Sequence, residues 1–349
     1  MRTKPNKAKC HMFDFEKPRK LLAACPVYQA TPLHDKLIYG QRVLIKDERN
    51  RMRLGSFKAL GGFYAVAQLI STKLGHKETG LALSEYLSPE IKAKAADIVF
   101  VCASAGNHGI AVAAGAKIFG AQCRIHLAKT VPEAFAVRLK DKGAEVVRSG
   151  DNYEESVAAA IEDAKLTKAI HLADGSWPGY TQIPKLVMEG YTVIAEEMRQ
   201  AFEQTNNWPT HVFLQAGVGG LAAAICYMIR RNWAIQPKII VVEPDLAPCL
   251  AQSVKQGRLC TVSGGISNMG RLDCKTPSLL AFDILNEMAD SFVSVSDQQA
   301  LDSMIIARNL AVDSTPSGVA GLTSLVESMN ELDENDLPLV IITEAAVTE

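Results

Sequence analysis

Lysine does chemistry when it is taken out of water. Lys58 lies in Arg53-Leu54-Gly55-Ser56-Phe57-Lys58-Ala59-Leu60-Gly61-Gly62, among small and apolar residues where a surface cation is not expected. Burial penalises the ammonium form, lowers its pKa and frees the amine as a nucleophile or base. Such an amine forms an imine with a carbonyl. The same segment also fits an amphipathic helix whose lysine keeps its stem on apolar surface and its head in water. On this segment alone both readings stand.

Other segments carry chemistry of their own. Gly217-Val218-Gly219-Gly220-Leu221 follows an apolar run and opens a helix, so its backbone amides and the helix dipole suit a small phosphate. It lacks both the spacing of a dinucleotide fingerprint and a Walker lysine. Packing alone would also explain such a turn. Ala103-Ser104-Ala105-Gly106-Asn107-His108-Gly109 has the same placement, and Ser104, Asn107 and the local amides suit a carboxylate or a phenolate oxygen. His108 reads equally as a packed or capping residue. In His171-Leu172-Ala173-Asp174-Gly175-Ser176-Trp177-Pro178-Gly179-Tyr180, Asp174 is either an acid/base group in a partly buried site or a helix cap on a solvated turn. Ser317, in Thr315-Pro316-Ser317-Gly318, reads as a helix cap. Thr343 follows the apolar run that ends at Ile342.

These turns need elements to hold them. Apolar runs at 98–103, 123–127, 145–148, 210–215, 239–243 and 339–342 read as strands. Helical runs at 109–119, 132–142, 153–166, 183–203 and 221–231 alternate with them. Continuous apolar strands alternating with helices predict α/β architecture: two three-layer αβα units with twisted, mostly parallel sheets and a cleft between them at the strands' carboxyl ends. The 349 residues suit two domains. A net charge of −1 and the lack of a long basic run exclude nucleic acid as a partner. No apolar run reaches the roughly 18 residues of a membrane span. The basic start, with Arg2, Lys4, Lys7 and Lys9, has no apolar core and reads as a solvated tail. The eight cysteines form no CxxC pair, which predicts free thiols in a reducing cytoplasm and no metal site.

From Thr31-Pro32-Leu33 to Thr343 the chain resembles the fold-type II pyridoxal-phosphate enzymes, the group of serine and threonine dehydratases, cysteine synthases and tryptophan synthase β. The segments KDERNRMRLGSFKALGGFYAV (46–66), GYTQIPKLVMEGY (179–191) and MGRLDCKTPS (269–278) are similar to diaminopropionate ammonia-lyases within it. The resemblance implies pyridoxal 5′-phosphate as cofactor, Lys58 as the imine lysine that also moves the α-proton, and Asp174 as an acid assisting the departing amine. It gives the phosphate to the backbone of Gly217, Val218, Gly219, Gly220 and Leu221, the ring O3′ to Asn107, and the pyridine nitrogen to Thr343. Ser104, Ala105, Gly106 and His108 would line the substrate subsite. It also implies a large domain from 1–60 and 190–349, a small mobile domain from 61–189, and a homodimer. The implied reaction is α,β-elimination from a β-substituted amino acid, with 2,3-diaminopropionate first. Dehydration of L-serine or L-threonine, β-replacement and a weakened binding relative are the alternatives. Two departures stand out: Ala105 replaces an acid of the ammonia-lyase pattern TDGN, and TEAAVTE replaces TEGDT. SAGNHG itself is what the dehydratases show.

Overall fold

The computed structural model describes residues 12–76 and 80–346; the basic start with Cys10 and the last three residues of TEAAVTE lie outside them. The first hairpin joins β1 (Leu33–Ile38) to β2 (Gln41–Asp47). Its turn is Tyr39-Gly40, both in the left-handed region at φ 50° and 89°, which matches the twist of a tight hairpin. The next strands are β3 (Val99–Cys102), β4 (Gln122–Leu127), β5 (Glu145–Arg148) and β6 (Ile170–His171). They form an all-parallel sheet in the order β5-β4-β3-β6. The chain then returns to the first sheet with β7 (His211–Gln215), β8 (Lys238–Pro244), β9 (Ser291–Val295) and β10 (Pro338–Ile342). That sheet has the order β1-β2-β10-β7-β8-β9, and β1 alone runs antiparallel to its neighbour.

The expected α/β class and parallel sheets are therefore present. Reading for apolar runs did not find β1, β2, β6 or β9. In β1 and β9 buried and half-exposed positions mix, so neither shows a continuous apolar run.

The helix Lys58–Lys73 is not amphipathic. Ala59 through Ala67 are all buried, because the helix lies between Asn107–Phe119 and Gln182–Thr205. Glycine permits that closeness: a Cβ on Gly62 would lie 2.5 Å from that of Ala111. Near Lys58, the Phe57 amide donates to the Thr343 carbonyl (3.1 Å) and the Ala345 amide to that of Gly55 (2.9 Å). The carboxyl end of β10 is thus hydrogen-bonded to the turn that presents Lys58, at the strand ends where ligands bind in open α/β sheets.

Candidate active site

Lys58 is the first residue of its helix and its Nζ donates to Asp174 Oδ2. About a fifth of the Lys58 side chain and a quarter of that of Asp174 are accessible (21% and 27%), so the pair lines an open cleft. Burial alone would pull the ammonium's pKa down, as the sequence suggested. The Asp174 carboxylate more than offsets that, and the shift is upward. For Asp174 burial pushes upward, but Lys58 holds the carboxyl below its usual range. The lysine is a paired cation here rather than a free amine.

The turn carrying Asp174 is stapled in place. The Tyr180 hydroxyl donates to the His171 carbonyl (2.7 Å) and accepts from the Ala173 amide (3.0 Å). Trp177 stacks on Tyr180 with centroids 4.3 Å apart. His108 Nε2 lies 2.8 Å from the Leu172 carbonyl; burial lowers its pKa, so the neutral ring donates there and supports the Asp174 turn. Ser176 docks across the cleft: its amide donates to Ser278 Oγ (3.0 Å), and its Oγ accepts from the Leu280 amide (2.9 Å). The Ser278 amide in turn donates to the Val218 carbonyl (3.0 Å).

Two helix starts face this pair. The helix Gly220–Asn232 begins after Gly219 at φ 97° and has no side-chain cap. A Cβ on Gly217 would lie 3.0 Å from Cys274 Sγ and 3.1 Å from the Arg271 carbonyl, so the loop needs glycine there. The helix Asn107–Phe119 likewise starts uncapped after Gly106. A Cβ on Gly109 would meet the Ser104 carbonyl at 2.2 Å, which fixes the shape of that turn. Ser104, Ala105 and Gly106 lie partly exposed along it. Asn107 Nδ2 donates to Glu344 Oε2.

Glu344 went unread in the sequence. Buried at 3% exposure, it also pairs with Arg271 (Nε to Oε2, 2.8 Å) and accepts from Thr315. Burial raises its pKa, while Arg271, Thr315 and Asn107 oppose the rise. Thr343 is buried beside it. Ser317 does not cap its helix as expected. Thr315 is the cap, accepting from the Gly318 amide (3.1 Å), because the helix starts at Pro316; Ser317 Oγ accepts from the Arg271 amide instead (3.1 Å). Tyr191, Arg271 and Cys274 sit in segments that the sequence marks, yet none is distinctive alone. Burial pushes the Cys274 thiol up to about 11.

Residues 24–344 match the family described as "Pyridoxal-phosphate dependent enzyme". The chain belongs to that family. It is 35% identical over 328 residues to the diaminopropionate ammonia-lyase of Salmonella typhimurium, covering 89% of this chain and 81% of the relative. The holo structure of the Escherichia coli diaminopropionate ammonia-lyase superposes with TM-score 0.84 at 29% identity, over 96% of this chain and 90% of that one. The same enzyme with an aminoacrylate-PLP azomethine reaction intermediate gives 0.83 at 28% identity, with the same coverage. The fold is that of the fold-type II enzymes, and the cofactor is pyridoxal 5′-phosphate. The residues fit it: a cradle too narrow for a Cβ at Gly217, an uncapped helix start for a phosphate, and a lysine in the same cleft.

Behind the glycine loop, Glu243 accepts from the Leu250 and Ala251 amides (both 2.7 Å), and Cys249 Sγ is 3.7 Å from the Gly217 carbonyl. Burial pushes the Glu243 carboxyl up to about 7 despite those amides. Between the ordinary glutamate range and pH 7 the folded state then holds a proton that the unfolded state has lost, so stability falls as pH rises through that window. Glu243→Gln removes this dependence. Its unfolding free energy relative to the unsubstituted protein is expected to rise by about 2 kcal/mol from pH 5 to pH 8. A flat difference across that range would place the titration elsewhere.

Proposed function

We propose that the chain is a carbon–nitrogen lyase acting by α,β-elimination on a small β-substituted amino acid, with 2,3-diaminopropionate converted to pyruvate and ammonia. The observation that carries this is the Lys58–Asp174 pair set between two uncapped, glycine-lined helix starts in a chain of this family. When bound, the cofactor supplies the electron withdrawal that lets a Cα–H bond break. The chain's own residues do the rest.

The amides of Gly217, Val218, Gly219, Gly220 and Leu221 would hold the phosphate. Asn107, turned from Glu344, would hydrogen-bond the ring O3′, and Thr343 would offer a neutral hydroxyl to the ring nitrogen. Ser104 and the amides of Ala105 and Gly106 would take the substrate carboxylate, with His108 supporting the turn opposite. Lys58 takes the α-proton. Asp174 stays ionised while Lys58 is a cation. Once that charge is gone, burial raises its carboxyl into a range where it takes up a proton and delivers it to the departing amine. Residues 61–189 form the small domain that moves against 1–60 and 190–349, and a cytoplasmic homodimer completes the reading.

The test is to incubate the purified protein with D- and L-2,3-diaminopropionate, L-serine and L-threonine while measuring keto acid and ammonia. Diaminopropionate elimination followed by enamine hydrolysis yields two ammonia per pyruvate, and serine yields one. Ala105 leaves no acid for the face opposite Lys58, so one enantiomer, the L form, should react about 10²-fold faster. Equal turnover of both isomers would overturn that assignment. SAGNHG favours a second reading, L-serine or L-threonine dehydration, which the same panel separates. A new amino acid formed only with added thiol or amine would indicate β-replacement. A visible imine band that no substrate shifts would indicate a binding relative.

A further inference from the structure

The Tyr191 ring lies against the first turn of the Lys58 helix because two glycines let it. A Cβ on Gly61 would sit 2.5 Å from Tyr191 Cε1 and 2.6 Å from the Val187 carbonyl. A Cβ on Gly190 would sit 2.7 Å from the Leu60 carbonyl and 2.8 Å from Gly61 Cα. The two helices cross with almost nothing between their backbones. Phe57 closes the other side of the ring, edge-on at 4.9 Å and 65°. Lys58 Nζ stands 5.9 Å from the Tyr191 centroid and 5.3 Å from that of Phe57.

Tyr191 is 1% exposed, and its buried hydroxyl has no hydrogen-bond partner among the described residues. A buried hydroxyl left unmatched is costly and is a reason to look for a partner that comes and goes. Lys58 is that partner by position: it and Asp174 are the charged groups that act on the phenol, whose proton burial holds tightly. Chemistry separates the two neighbours of the amine. A carboxylate only accepts hydrogen bonds, so Asp174 favours the ammonium. A phenol also donates, so Tyr191 can hydrogen-bond the lone pair of a neutral amine.

We infer that Tyr191 is a positioning residue for Lys58, its hydroxyl holding the amine in place when that amine is neutral and free of the cofactor. This rests on Lys58 being the imine lysine. It concerns how the amine is kept reactive beside a carboxylate that would otherwise keep it protonated.

The test uses Tyr191→Phe, which keeps the ring and its packing on Phe57 and Gly61. The full-length protein, stripped of cofactor and mixed with pyridoxal phosphate, is followed by the visible imine absorbance across pH 6–10, with no substrate present. The variant is expected to form the imine about 10-fold more slowly near neutrality, with its pH profile displaced upward by about one unit. An unchanged profile would overturn the inference. So would a rate loss equal at every pH, which would assign the hydroxyl to the cofactor phosphate. If the unsubstituted protein forms no imine, the assignment of Lys58 fails, and this inference with it. If it forms one but turns over no amino acid, only the substrate reading fails.

Discussion

Lys58→Ala is expected to abolish the visible imine band of the protein loaded with pyridoxal phosphate and to lower turnover by roughly 10³-fold or more. Two roles are lost together, the covalent hold on the cofactor and the base at the α-carbon. Asp174→Asn separates them. It removes the carboxylate that keeps the Lys58 ammonium's pKa raised. What remains is burial, which favours the neutral amine, so the imine should still form and at a lower pH. Turnover should nevertheless fall about 10²-fold, because no group is left to protonate the departing amine. Absorbance spectra and steady-state rates on the two variants suffice. An imine band that persists in Lys58→Ala would place the covalent bond on another lysine.

Much of this site could be read from local pattern, since glycine turns at strand ends are local features. The loop 217–220 and the turn 103–109 were legible because shape and helix start are encoded within a few residues. The pKa of Lys58 was not, because its sign depends on Asp174, 116 positions away. Glu344 was passed over for the hydroxyl before it, yet Asn107, Arg271 and Thr315 converge on the carboxylate. Tyr191 lies in the helical run 183–203, and only the crossing at Gly61 and Gly190 puts its ring against the first turn of the Lys58 helix. The fold followed the same rule. Buried parallel strands announce themselves as apolar runs, while β1 and β9, with their mixed exposure, do not.

The run Lys46-Asp47-Glu48-Arg49-Asn50-Arg51 is dense in charge, yet Lys46, Glu48 and Arg51 are 2%, 0% and 0% exposed. The Arg51 guanidinium forks onto Glu48 (Nε 2.7 Å, Nη2 2.7 Å) and onto Glu197 (Nη1 2.7 Å, Nη2 2.8 Å). Lys46 Nζ adds a bond to Glu197 (2.6 Å), and the Tyr28 hydroxyl donates to the same carboxylate (2.7 Å). Two cations and two anions balance, and the network ties the end of β2 to the helix that carries Tyr191. Arg51→Met is expected to destabilise the protein by about 3–5 kcal/mol, because it strands two carboxylates in a dry site. Arg51→Lys should recover only part of this, since an ammonium cannot bridge both carboxylates with a planar fork. Acid pH gives the sign of the effect. Burial raises the Glu197 carboxyl, but Arg51 and Lys46 hold it at about 2, so its contribution is complete above the ordinary glutamate range and is lost as pH falls toward 2. In Arg51→Met that hold weakens and the carboxyl can protonate at mild acidity. The difference in unfolding free energy between variant and parent should therefore be largest near pH 7 and shrink toward pH 4. A deficit that stays constant down to pH 4 would mean that lost packing of the arginine stem, rather than unpaired charge, accounts for the destabilisation.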